Sequence, residues 1–83
     1  MIKVLFFASL REKLNCENVI LYEGHYPQTL LSLRSQLAEK GNEWREVMAS
    51  KRTLVAINQR VMRKDVTLQS GDEVAFFPPV TGG

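Results

Sequence analysis

One histidine, one cysteine and nine carboxylates are the side chains best suited to chemistry in this 83-residue sequence, and their spacing gives none of them an accomplice. His25 stands in the turn-like stretch EGHYP with no second ligand at metal-binding spacing, so it reads as a loop residue and no metal site is expected. Cys16, in LNCEN, has Glu17 beside it instead of the cationic setting that makes a thiol reactive, and no histidine nearby to activate it. The carboxylates are scattered, without a pair placed for general acid–base work. Neither a glycine-rich phosphate loop nor zinc spacing is present. The cations include two loose groups, Lys51-Arg52 and Arg60 with Arg63-Lys64, suited to solvated loops or to steering an acidic partner. As an enzyme acting alone, the chain has almost nothing to work with.

What remains is the closing stretch GDEVAFFPPVTGG. At average glycine usage, Gly-Gly arises at a chain end in roughly half a percent of sequences, and a ragged tail is the ordinary explanation. The neighbouring residues argue otherwise. Pro78-Pro79 stiffens the chain into an extended form, so residues 78–83 reach about 20 Å at roughly 3.4 Å each. Glycines at the tip lack a Cβ, so the backbone can enter a channel that other residues would block. The reactive group is then the main-chain carboxylate of Gly83, a poor electrophile until it is adenylated and an acyl donor afterwards. On this reading the tail is the active part, and another protein supplies the catalytic site.

The elements that hold such a tail follow from the patterning. At 83 residues the chain is one small domain. An apolar fraction of 45% and a net charge of +2 suit a soluble protein, and argue for neither nucleic acid nor membrane. A single cysteine excludes an internal disulfide framework, and no signal peptide or membrane span is read, so a cytoplasmic location is expected. IKVLFFA (2–8) reads as a strand, SLREKL (9–14) as one or two helical turns, and NVILYE (18–23) as a second strand. The best helix is 27–41, with Leu30, Leu33 and Leu37 on one stripe, Thr29 as its cap and Gly41 at C′. NEWREVM (42–48) adds a short irregular helix, with Trp44 and Met48 covering one edge of the core. TLVAIN (53–58) and RVM (60–62) flank a turn at Asn58-Gln59, SGD (70–72) is turn chemistry, and EVAFFP (73–78) is the last strand. The order predicts a single α+β domain.

The first and last strands are apolar on both faces: Ile2, Val4 and Phe6 oppose Leu5 and Phe7, while Val74 and Phe76 oppose Ala75 and Phe77. One substantial helix covers only one face. The other is left as an apolar patch, either for a partner or for loop 42–52 to fold over, and the partner is the preferred occupant.

MIKVLFFASLRE (1–12), VAINQ (55–59) and above all GDEVAFFPPVTGG (71–83) closely resemble the MoaD family of sulfur carriers, the small subunits of molybdopterin synthase. The resemblance spans essentially the whole chain, although residues 15–53 match in spacing more than in identity. It implies a β-grasp, ubiquitin-like fold: a mixed sheet packed on one main helix, with an extended tail at 78–83. By the same resemblance, an E1-like adenylating enzyme uses ATP to activate the carboxylate of Gly83, which follows Gly82. Sulfur from a persulfide sulfur donor then gives a thiocarboxylate, which explains why no cysteine is needed. The tail inserts into the large subunit (MoaE family) of a heterotetramer and donates sulfur to cyclic pyranopterin monophosphate. Two such deliveries make a dithiolene, and no permanently bound cofactor is implied. Positions matching Phe7, Val61 and Phe77 form the apolar contact surface, with Arg11 beside it. Pro78, Pro79, Val80 and Thr81 carry the tail into the partner. Competing readings are a thiazole-type sulfur carrier, which is typically shorter, and an unactivated ubiquitin-like binding module; a self-sufficient enzyme is more distant.

Overall fold

Alternation of buried and exposed positions decides how the strands are used. In the computed structural model, which describes residues 1–24 and 27–79, five strands form one sheet. They are β1 (Ile2–Phe6), β2 (Asn18–Leu21), β3 (Leu54–Ile57), β4 (Arg60–Val61) and β5 (Glu73–Phe77). Their spatial order is β2-β1-β5-β3-β4, with β1 and β5 parallel and every other pair antiparallel. Three helices accompany them: α1 (Ala8–Leu14), α2 (Leu30–Ala38) and α3 (Asn42–Ala49). This is the α+β, β-grasp architecture that the sequence predicts.

Ile2, Val4 and Phe6 of β1 and Val74 and Phe76 of β5 are fully or almost fully buried against the helices. They meet Leu30, Leu33 and Leu37, the predicted stripe of α2. Phe6 stacks on Phe76 with ring centroids 5.8 Å apart, and Trp44 of α3 meets Phe6 edge-on at 5.2 Å. Burying one such ring contributes about 1.5–3 kcal/mol, so this cluster fixes the helical layer on one side of the sheet.

The helix over 27–41 is shorter than predicted at both ends. Residues 28–30 first pair with 66–68: the Leu68 amide donates to the Gln28 carbonyl (2.7 Å), the Leu30 amide donates to the Val66 carbonyl (2.9 Å), and Thr29 bridges Thr67. Thr29 does cap α2, its hydroxyl accepting from the Ser32 amide at 3.1 Å. Gly41 is not at C′; Glu39 caps α2 and Gly41 is the N-cap of α3. Residues 42–49 form a regular helix that packs on α2 and α1, with Val47 and Met48 in the core. They therefore do not fold over the opposite face of the sheet.

Candidate functional site

The uncovered face is built by register. Leu5 pairs with Ala75, Ala75 with Ala56, and Ala56 with Val61, so one row of four apolar residues crosses four strands. Paired residues point to the same side of a sheet, and this side is opposite the helices. The next row holds Phe77 opposite Leu54. Two alanines between Leu5 and Val61 leave the middle of the face shallow, with larger groups around it. Val61 is 51% exposed and Phe7 44%, whereas Phe76, the neighbour of Phe77, has no exposure at all.

Phe7 is placed by a change of direction at the end of β1. Its amide donates to the Phe76 carbonyl (3.1 Å), which extends the pairing one residue beyond the strand. Ala8 then takes a left-handed conformation (φ 54°), uncommon for a residue with a side chain, and α1 begins. Arg11 lies one turn further on, half exposed, with its guanidinium 3.7 Å from Glu17. Lys3, Leu5, Phe7 and Arg11 line one shallow hollow beside the apolar face. Of the four expected surface contacts, Phe7 and Arg11 share this hollow, while Phe77 and Val61 lie on the open face on β5 and β4.

The root of the tail is the second part of the site. Pro78 has no amide hydrogen, so it ends the β5 ladder. Pro78 and Pro79 are half-buried at the mouth of a groove of about 440 Å³ between α1, α3 and the turn before β3. Across that groove Lys13 of α1 bridges Glu46 of α3 at 2.9 Å. The hydrogen bond from Lys13, reinforced by its charge, holds the Glu46 carboxyl below its ordinary range. Arg52 lines the same groove. Val80, Thr81, Gly82 and Gly83 lie outside the described residues, as does His25.

The remaining candidates stay unassembled. The Cys16 thiol donates to the Asn18 carbonyl (3.3 Å) at the turn into β2. Among the described residues, no group of three or more His, Cys, Asp or Glu is placed to hold a metal ion. No helix there is long and apolar enough to cross a membrane.

Three supporting residues, Arg34, Asn58 and Asp72, make contacts that sequence reasoning does not assign, although the last two are read there as turn residues. Arg34 donates to the carbonyls of Met48 (3.0 Å) and Thr53 (3.4 Å) while its guanidinium lies 5.5 Å from the Phe76 ring centroid. Partial burial lowers its pKa from the usual arginine range, and the contacts tie α2 to the turn that borders the tail groove. Its position is a signal: Arg34 is four residues from Leu30 and three from Leu37, on the buried stripe itself. Asn58 and Asp72 lock the β3–β4 turn to the start of β5. The Asn58 amide group donates to Asp72 (2.9 Å), and its oxygen accepts from the Glu73 amide (3.0 Å).

Comparison with known proteins gives a consistent set of relatives. Residues 4–83 match the model described as the ThiS family. Proteins named molybdopterin synthase sulfur carrier subunit, from Haemophilus influenzae and from Escherichia coli, are each 42% identical over 83 residues, spanning all of both chains. A solved complex of subunits 1 and 2 of the molybdopterin-converting factor from Helicobacter pylori contains a similar chain. It has a TM-score of 0.72 and 25% identity over 99% of this chain and 97% of that one.

Proposed function

The chain belongs to the ThiS family, and from that premise we propose that it is the sulfur carrier subunit of molybdopterin synthase. The observation that carries this reading is the continuity of the site. β5, which carries part of the open apolar face, leads directly in the chain into Pro78-Pro79 and the residues that end in Gly-Gly. Two full-length relatives that bear the carrier name support it, and so does the related chain solved together with a second subunit.

The chemistry belongs to the main chain of Gly83. An activating enzyme joins its carboxylate to the AMP moiety of ATP and releases pyrophosphate. The terminal sulfur of a persulfide donor displaces AMP to give an acyl disulfide. A second thiol then cleaves the S–S bond, carrying the donor away as a disulfide and leaving the thiocarboxylate. That group ionises readily, and its sulfur is the nucleophile delivered to cyclic pyranopterin monophosphate inside the large subunit. Phe7, Val61 and Phe77 bury apolar surface against the large subunit, and Arg11 contributes a polar contact at the margin. Pro78 and Pro79 limit the directions in which the tail can leave, so less freedom is lost when it is inserted. Gly82 and Gly83 allow close approach of the backbone. ATP is a substrate of the activating enzyme, and no cofactor resides in this chain.

The test is the intact mass of the protein co-expressed with its activating enzyme and sulfur donor, followed by fragmentation from the C-terminal side. Fragmentation is required because replacing oxygen by sulfur resembles oxidation of Met1, Met48 or Met62 in total mass. Sulfur located on Gly83 is the expected result. An unmodified Gly83, with active enzyme, ATP and donor present, would overturn the carrier reading in favour of an unactivated binding module.

A further inference from the structure

The stretch 51–64 contains five cations, Lys51, Arg52, Arg60, Arg63 and Lys64, and no carboxylate. Among the described residues none of the five takes part in an ion pair, whereas Arg11 and Lys13 each have one. Asp65 is the one carboxylate that adjoins this stretch, so the cations outnumber it, and like charges in excess repel one another until an acidic partner relieves that repulsion. The fold separates these cations: Arg52 lines the tail groove, while Arg60, Arg63 and Lys64 follow one margin of the sheet. β4 is the outermost strand, only two residues long, with Arg63-Lys64 shortly after it.

Behind that margin lies a groove of about 210 Å³ between α2 and residues 62–65. Its lining includes Met62 and Leu31, and Leu31 is 62% exposed. Two charged residues in the groove are already engaged. Asp65 accepts from the amides of Leu31 (2.8 Å) and Val66 (3.1 Å), and Arg34 donates to the Met48 and Thr53 carbonyls. That leaves Arg63 and Lys64 beside an exposed aliphatic side chain. This site lies on the helical side, apart from the apolar sheet face and from the tail groove.

We infer that this margin and groove dock an extended acidic segment of a partner protein, with one aliphatic residue of that segment seated against Leu31 and Met62. Carboxylates of the segment meet Arg63 and Lys64, and Arg60 extends the basic track along β4. A partner engaged in this way leaves the open sheet face and the tail free.

The test is an amide NMR titration of the full chain with a capped acidic heptapeptide, Glu-Glu-Asp-Leu-Asp-Glu-Glu. A second peptide with Gln and Asn in place of the acids is the control. Shifts at residues 30–34 and 60–65 are expected with the acidic peptide only. The doubly reversed variant Arg63→Glu with Lys64→Glu should raise its Kd about tenfold, its spectrum otherwise staying that of the folded parent. Arg63→Lys should keep the affinity and Leu31→Ser should lower it. Absence of shifts would overturn the inference. So would shifts spread equally over Arg11, Lys13 and Arg45, or tighter binding of a single-stranded oligonucleotide at the same amides. The sulfur reading stands or falls separately: peptide binding with an unmodified Gly83 sinks only the carrier, and a thiocarboxylated chain that ignores the peptide sinks only this site.

Discussion

Phe76 and Phe77 are adjacent in sequence, and the pleat of β5 gives them opposite tasks. Phe76 is fully buried between Phe6 and Arg34, whereas Phe77 is half-buried on the uncovered face beside Leu54. Phe76→Ala should therefore cost about 3–5 kcal/mol of stability through lost burial and the cavity left behind. Phe77→Ala should cost about 1 kcal/mol of stability while weakening large-subunit binding by about 2 kcal/mol, roughly 30-fold in Kd. Thermal melts and calorimetric titration read both effects, and the reverse order would place Phe77 in the core. That the two rings lie on opposite faces is legible in the sequence from alternation, whereas the partner role of Phe77 comes from the family resemblance. The role of Arg34 is not legible there, because it depends on two carbonyls that arrive from α3 and the turn after it. Arg34→Met keeps the stem that packs on Phe76 but orphans those carbonyls, and should lower stability by about 2 kcal/mol in a urea titration. An unchanged midpoint would mean that solvent already satisfies them.

At the scale of elements, the β3–β4 turn holds Asn58 at φ 51° and Gln59 at φ 70°. Two successive positive φ values are the type I′ geometry, in which Asn-Gly is the favoured pair. Gln59→Gly removes the penalty of a side chain in that conformation and should raise stability by about 0.5–1 kcal/mol, read as a higher urea midpoint. A second element-scale device is the Lys13–Glu46 bridge, which links α1 to α3 across the tail groove. The Glu46 carboxyl is held below its ordinary range in the fold. Its contribution is therefore whole above the unfolded-state pKa and is lost as pH falls through the lower, folded value. The difference in melting temperature between the parent and Lys13→Met should accordingly be present at neutral pH and vanish in acid. A difference that persists unchanged in acid would trace to packing of the lysine stem. The strands and the stripe of α2 are legible because period and composition are local signals. The truncation of α2 and the place of Gly41 are not. Residues 28–30 are drawn into pairing with 66–68, far along the chain, and no local propensity reports that competition. Nor does patterning reveal that β1 and β5 pair in parallel at the centre, since two strands apolar on both faces look alike in either direction.

For the whole molecule, the sheet is sealed by helices on one side and open on the other, which makes the folded chain incomplete as a burial problem. Partner binding should then act as a stabiliser. At a large-subunit concentration 100-fold above Kd, stability should rise by about 2.7 kcal/mol, seen as a higher melting temperature that depends on partner concentration. A melting temperature indifferent to the partner would show that the open face is not the surface it covers. The central position of β5 has a mechanical consequence as well. Interstrand hydrogen bonds run across the strands, so a pull on Pro78 along β5 loads them in shear. β5 is bonded on both flanks, to β1 and to β3, and those ladders share the load instead of peeling open one bond at a time. A neighbour that grips the tail and tugs will drag the domain along before it unravels it.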